Sequence, residues 1–119
     1  MSATDSLFAS FALKSLHTDN RIVMAPMTRG MSPDNKPRDA SVDYYRRRAA
    51  GGVGLIITEG TCINHIAASG YENVPYFHGD DRLAGWKKVV APVHAEGGKI
   101  APQLWHCGGM RKRGTLPEG

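Results

Sequence analysis

The stretch Gly51-Gly52-Val53-Gly54-Leu55-Ile56-Ile57-Thr58 decides the fold. Its paired glycines signal a turn, and the run that follows shows no polar alternation across its apolar core. A strand covered on both faces reads this way. The same arrangement returns downstream, where Gly97-Gly98 introduces Lys99-Ile100-Ala101-Pro102-Gln103-Leu104-Trp105. Upstream, Arg21-Ile22-Val23-Met24-Ala25 is an apolar run halted by Pro26. Three strands are therefore expected, over 21–25, 53–58 and 99–105.

The segments between them carry helical periodicity. Val42, Tyr45 and Ala49 recur at i, i+3 and i+7 and predict a helix over 40–50. Asp39 is its expected N-cap, and Asp43 lies where the dipole favours a negative charge. A second helix is expected from about 81 to 96, with Leu83, Trp86, Val90 and Val93 as its stripe. Asp80 or Asp81 would cap it and Gly97 would end it in a left-handed conformation. Pro92 removes one backbone bond late in that helix, so a kink is expected. Strand, helix, strand, helix, strand in this order implies parallel pairing through crossovers. Leu7 to Leu16 reads as a pair of short extended segments, a hairpin across one end of the sheet. Pro102 fits a central strand poorly, because it has no N–H to donate; it requires a sheet margin or a bulge.

Composition narrows the function classes. The chain has 119 residues, 41% of them hydrophobic and 22% charged, and no linker divides it, so 1–119 reads as one unit. The net charge of +4 comes largely from Arg46-Arg47-Arg48 and Arg111-Lys112-Arg113. No recognition-helix, RNA-binding or zinc-finger pattern accompanies them, which disfavours nucleic acid as a partner. Cys62 and Cys107 form no C-x-x-C pair, and the five histidines have no metal-site spacing, so no metal is expected. No apolar run approaches the ~20 residues needed to span a bilayer. Met1 to Asp5 carries no basic region followed by an apolar core. A cytoplasmic protein with two free thiols and no membrane contact is the expectation.

In β/α folds ligands gather at the carboxyl ends of the strands. Those ends are Ala25-Pro26-Met27-Thr28-Arg29, Thr58-Glu59-Gly60-Thr61-Cys62 and Gln103-Leu104-Trp105-His106-Cys107. The loop from Gly60 to Gly79 is long for a mere connection. Four strings stand at or near these ends: RIVMAPMTR at 21–29, TEGT at 58–61, SGY at 69–71 and QLWH at 103–106. With Leu7-Phe8, Tyr44-Tyr45 and HAEGG at 94–98, they make the chain resemble the old yellow enzyme family of FMN-dependent ene reductases.

The resemblance implies an α/β chain forming the N-terminal segment of a (β/α)8 barrel, with FMN as cofactor. The Thr28 hydroxyl would bond the flavin's carbonyl oxygen, and Ala25, Pro26 and Met27 would supply backbone contacts and an apolar floor. Gly60 would let the backbone approach the ring, and Gln103 would meet the pyrimidine edge with both a donor and an acceptor. Tyr71 and Trp105 would line the substrate side. Without the resemblance, Thr28 is a turn threonine, Gly60 a strand exit and Trp105 a core residue. The family's reaction passes hydride from NAD(P)H through FMN to activated alkenes such as enones and nitroalkenes. Its proton donor, carbonyl-holding side chains and phosphate grip come from later in a barrel of about 250 residues. No catalytic residue is therefore expected within this segment. The chain reads as an incomplete barrel ending in mid-loop at Gly114–Gly119, inactive alone, with a complementing chain or a missing C-terminal part as the expected partner. The alternative is a non-catalytic α/β module, or a split-enzyme piece, whose basic clusters bind an anionic partner.

Overall fold

The computed structural model describes residues 2–115; the end of the expected terminal loop, 116–119, lies outside them. The chain opens with a short 3-10 turn at Asp5–Phe8, followed by an antiparallel hairpin of β1 (Phe11–Leu13) and β2 (Leu16–Thr18). The hairpin thus starts later than expected, because Leu7 and Phe8 belong to the turn. Lys14 adopts φ +53 at the hairpin bend.

A three-stranded parallel sheet follows, in the order β3 (Val23–Met24), β4 (Leu55–Cys62) and β5 (Lys99–Trp105). β3 pairs with β4 over two residues only, Val23 with Leu55 and Met24 with Ile56. β4 begins two residues later than expected and runs four residues further, through Gly60 to Cys62. Between Ile57 and Gly60 its register with β5 shifts, directly opposite Pro102. Ala101 pairs with Ile57 and Gln103 with Gly60, so Pro102 opposes the extra residue. The Thr58 hydroxyl accepts a hydrogen bond from the Gln103 N–H at 3.2 Å, repairing the ladder where it is interrupted. Both conditions that Pro102 requires are met: a bulge, and the outer strand of this sheet.

The helices are α1 (Asp39–Ala50) and α2 (Asp80–Ala95). Arg38, not Asp39, occupies the N-cap of α1 and makes no side-chain cap bond; Gly79, not an aspartate, holds that position in α2. The acidic residues fall one place later, inside the first turn, where the dipole still favours them. α2 continues through Pro92 to Ala95, and Gly97 turns left-handed with φ +79 after it. Both helices pack on one face of the sheet. Tyr45 and Ala49 of α1 meet Trp86, Val89 and Val93 of α2 over Ile56. Val89 and Gly85 replace the expected Val90 and Leu83 in the buried stripe of α2. Gly85 is buried because a Cβ there would stand 3.2 Å from both Lys36 Cγ and Pro37 Cδ.

The opposite face of the sheet differs from expectation. Leu55 and Ile57 are half-buried and Val23 is 55% exposed, so among the described residues no second layer covers that side. No helix among the described residues is long and apolar enough to cross a membrane.

Candidate functional site

A smaller cluster of buried residues underlies the carboxyl end of the sheet. Cys62, Ala68 and Val74 form it, with Tyr76 and Trp105 packed against them. It anchors the long segment after β4. The Cys62 N–H donates to Pro75 O, Phe77 N–H returns to Cys62 O, and Cys107 N–H donates to Ala68 O. His65 caps the 3-10 turn Ile66–Ala68, its Nδ1 accepting from the Ala67 N–H, and its ring lies 3.1 Å from His106 Nε2. The loop is thus a packed structure that holds Tyr71 against β5.

Trp105 and Tyr71 come together here, with ring centroids 5.7 Å apart and planes inclined at 58°. The indole of Trp105 lies over Gly60. A Cβ on Gly60 would stand 1.9 Å from the indole Cε2, so only glycine admits the tryptophan at this place. Gly60 and Gln103 are direct partners across the β4–β5 ladder. Thr61 fastens the same point, its hydroxyl donating to Gln103 O at 3.3 Å. Gly60, Gln103, Trp105 and Tyr71 therefore form one connected group at the strand ends.

Ala25, Pro26, Met27 and Thr28 follow β3 at the same end of the sheet and are all exposed. Their pairing with β4 stops at Met24, and among the described residues no side-chain hydrogen bond joins them to Gly60 or Gln103. Among the described residues, neither the Thr28 hydroxyl nor the Gln103 side-chain amide is committed to another hydrogen bond. Both are available to a ligand.

The feature that reading the sequence missed lies between these two groups. Glu59 is 1% exposed, and its Oε1 accepts from Arg29 twice, from Nη2 at 2.6 Å and from Nε at 3.2 Å. Arg29 Nη2 also donates to Ser41 Oγ at 2.8 Å. The guanidinium sits 4.2 Å from the Tyr44 ring centroid, within cation–π range. The Tyr45 hydroxyl donates to Glu59 Oε1 at 3.3 Å and accepts from the Glu59 N–H at 2.9 Å. Burial, reinforced by the adjacent carboxylate, pushes the Tyr45 phenol well above its ordinary value, so it remains a donor. Glu59 Oε2 has no hydrogen-bond partner among the described residues. The available signal was Glu59 itself: a carboxylate within an apolar strand demands a buried cation.

The cysteines sit near this group without joining it. Burial pushes the Cys62 thiol up to about 11, with the neighbouring Cys107 adding to the shift and a hydrogen bond from Ser69 opposing it. Cys107 packs on Gly70, where a Cβ would fall 2.9 Å from the Cys107 Cβ. Among the described residues no group of three or more His, Cys, Asp or Glu side chains is placed to hold a metal ion.

The basic clusters are placed as follows. Arg46 pairs with Asp43 at 2.8 Å and Glu96 at 3.3 Å, Arg47 pairs with Asp43 at 3.0 Å, and Arg48 covers the Tyr44 ring at 3.6 Å. Lys112 and Arg113 flank a cleft that also carries Asp34, Glu72 and Tyr71.

Comparison with known proteins gives a consistent result. The sequence profile of the NADH:flavin oxidoreductase / NADH oxidase family matches residues 6–118. A 12-oxophytodienoate reductase (number 7) of Oryza sativa subsp. japonica is 37% identical over 113 residues, covering 95% of this chain and 28% of that protein. Chanoclavine-I aldehyde reductase of Penicillium roqueforti is 43% identical over 103 residues, covering 86% of this chain and 28% of its own length. Among solved structures, morphinone reductase superposes with a TM-score of 0.87 at 42% identity, over 95% of this chain and 29% of that one. The old yellow enzyme homologue of Zymomonas mobilis gives 0.81 at 36% identity, over 89% and 29%. The chain spans less than a third of the length of each of these relatives.

Proposed function

Because the chain belongs to the NADH:flavin oxidoreductase / NADH oxidase family, we propose that it forms the N-terminal segment of an FMN-binding (β/α)8 barrel and supplies part of its flavin and substrate surface. The family is FMN-dependent and uses NADH or NADPH as reductant. FMN, when bound, accepts hydride from the reduced nicotinamide and delivers it to substrate.

The observation that carries this reading is the cluster at the strand ends. Gln103, paired with Gly60, offers a primary amide, which both donates and accepts and suits the imide-like edge of an isoalloxazine. Thr28 offers a hydroxyl that no protein group uses, on an exposed segment where Ala25, Pro26 and Met27 provide backbone and apolar surface. Trp105 and Tyr71 stand together as aromatic walls beside them. Gly60 keeps β4 free of a side chain and thereby fixes where Trp105 lies. The donor set fits a flavin.

In this reading Thr28 and Gln103 orient the ring, while Trp105 and Tyr71 exclude water and shape the substrate side. The substrate is a small activated alkene, an enone or nitroalkene, and the groups that hold its activating oxygen and return its proton lie elsewhere in the barrel. The remaining strands come from further chain or from a complementing polypeptide.

The alternative of an anion-binding module is less well supported. Arg46 and Arg47 are already paired with Asp43 and Glu96, and Lys112 and Arg113 share their cleft with two carboxylates. Titration of the chain with FMN and, separately, with heparin at several salt concentrations distinguishes the two. The flavin reading expects quenching of FMN fluorescence that changes little with salt. Tight heparin binding with a steep salt dependence and no FMN response would favour the module.

A further inference from the structure

We infer that Arg29 and Glu59, tied to α1 through Tyr45 and Ser41, are positioning residues that hold Thr28 at a fixed place relative to Gly60 and Gln103. The inference rests on the flavin reading above and deepens it, because it says how an exposed segment outside the sheet is kept ready for the ring.

The segment after β3 needs such a tether. β3 is two residues long, and its ladder with β4 ends at Met24. Residues 25–28 are exposed, and from 25 to 31 every side-chain hydrogen bond to the rest of the molecule is made by Arg29. Arg29 directly follows Thr28, and Glu59 directly precedes Gly60. The ion pair therefore links the two segments, one covalent step from Thr28 and one from Gly60.

The geometry is that of a fixed strut. Two guanidinium nitrogens converge on a single carboxylate oxygen, so the arginine cannot swing without losing both bonds. Tyr44 covers the guanidinium at 4.2 Å and Ser41 holds its Nη2, so three contacts from α1 and β4 define its position. The Tyr45 hydroxyl clamps Glu59 at both its carboxylate and its backbone N–H, which locks the carboxylate to the main chain of β4. A buried ion pair is weak evidence of net stabilisation, since desolvation offsets much of the attraction. Its retention is better explained by what it fixes. Glu59 Oε2, buried without a partner, agrees with a side chain held in place at a cost.

Glu59→Gln keeps the shape and removes the charge that attracts Arg29. Limited trypsin digestion of the free chain is the first readout, because the Arg29 side chain that trypsin must engage is held in the ion pair. Faster cleavage after Arg29, with cleavage within α1 and β5 unchanged, is the expected result. Unchanged cleavage after Arg29, or a rise spread over the whole molecule, would overturn the positioning role. Should Glu59→Gln fail to fold, Tyr45→Phe, which deletes only the clamping hydroxyl, gives the same comparison. FMN titration is the second readout, made as a double-mutant cycle with Thr28→Ala. Glu59→Gln is expected to weaken FMN roughly tenfold beside Thr28 and less than about twofold beside Ala at position 28. Equal losses in both backgrounds would mean that Glu59 does not act through Thr28. If the unmodified chain shows no FMN response, the flavin reading falls, while the cleavage pattern still decides whether the strut holds the segment.

Discussion

Gly60 and Cys62 show how much single positions constrain this site. Gly60→Ala would place a methyl carbon 1.9 Å from the Trp105 indole, on a strand that cannot yield without breaking its ladder. Overpacking of this kind costs about 1–3 kcal/mol. Urea unfolding is expected to show that loss, with a shift in Trp emission as the indole is displaced; unchanged stability and emission would mean that Trp105 has room to move. Cys62 gives a pH dependence whose sign is fixed. Burial holds its thiol at about 11 against an ordinary 9.0, so the folded state favours the protonated form. The contribution is complete below pH 9.0 and is lost as pH rises through about 11. The stability of the chain is therefore expected to fall across that window, and Cys62→Ala is expected to flatten the decline. Glu59 and Arg29 were the residues least legible in the sequence, since the partner of a buried charge thirty positions away leaves no local pattern.

At the scale of elements the sequence was read correctly in kind and order, and incorrectly at the edges. Three strands, two helices and a hairpin occur in the expected order, because apolar periodicity and paired glycines mark them independently of tertiary contacts. The helix caps lie one residue earlier than expected: Arg38, which makes no side-chain cap bond, and Gly79, a residue tolerated at an N-cap, hold those positions, and the aspartates fall in the first turn. Apolar periodicity alone places the stripe of α2 on Leu83 and Val90. The helix instead turns Gly85 inward, where Lys36 and Pro37 would stand 3.2 Å from an added Cβ, a tight contact. A search for apolar residues cannot register a glycine as a contact. The bulge opposite Pro102 was foreseeable from the missing N–H, and Thr58 supplies the acceptor that compensates for it. Thr58→Val, isosteric without that acceptor, is expected to cost about 1–3 kcal/mol in urea unfolding, because the Gln103 N–H is left unsatisfied. No change would show that the bulge is held by strand pairing alone.

At the scale of the whole molecule, the described residues are more extended than a compact domain and leave one face of the sheet uncovered. Its radius of gyration is 16.0 Å, against about 13.5 Å for a compact domain of this length. β4 was read as covered on both faces, and its residues fit that design, yet one face carries the helices and the other leaves Leu55 and Ile57 half-buried beside an exposed Val23. In the proposed barrel that face turns inward and meets the remaining strands. The candidate site was legible in the same partial way. Gly60, Gln103, Trp105 and Tyr71 are brought together, whereas Ala25 to Thr28 follow β3 at the same end of the sheet and are tied to β4 by Arg29. The most direct test of the central claim is a visible spectrum of the purified chain after incubation with FMN and desalting, alongside Gln103→Leu. The account predicts a retained flavin band with altered vibronic structure, weakened in the variant. A folded chain that emerges colourless, or a band that Gln103→Leu leaves untouched, would contradict it.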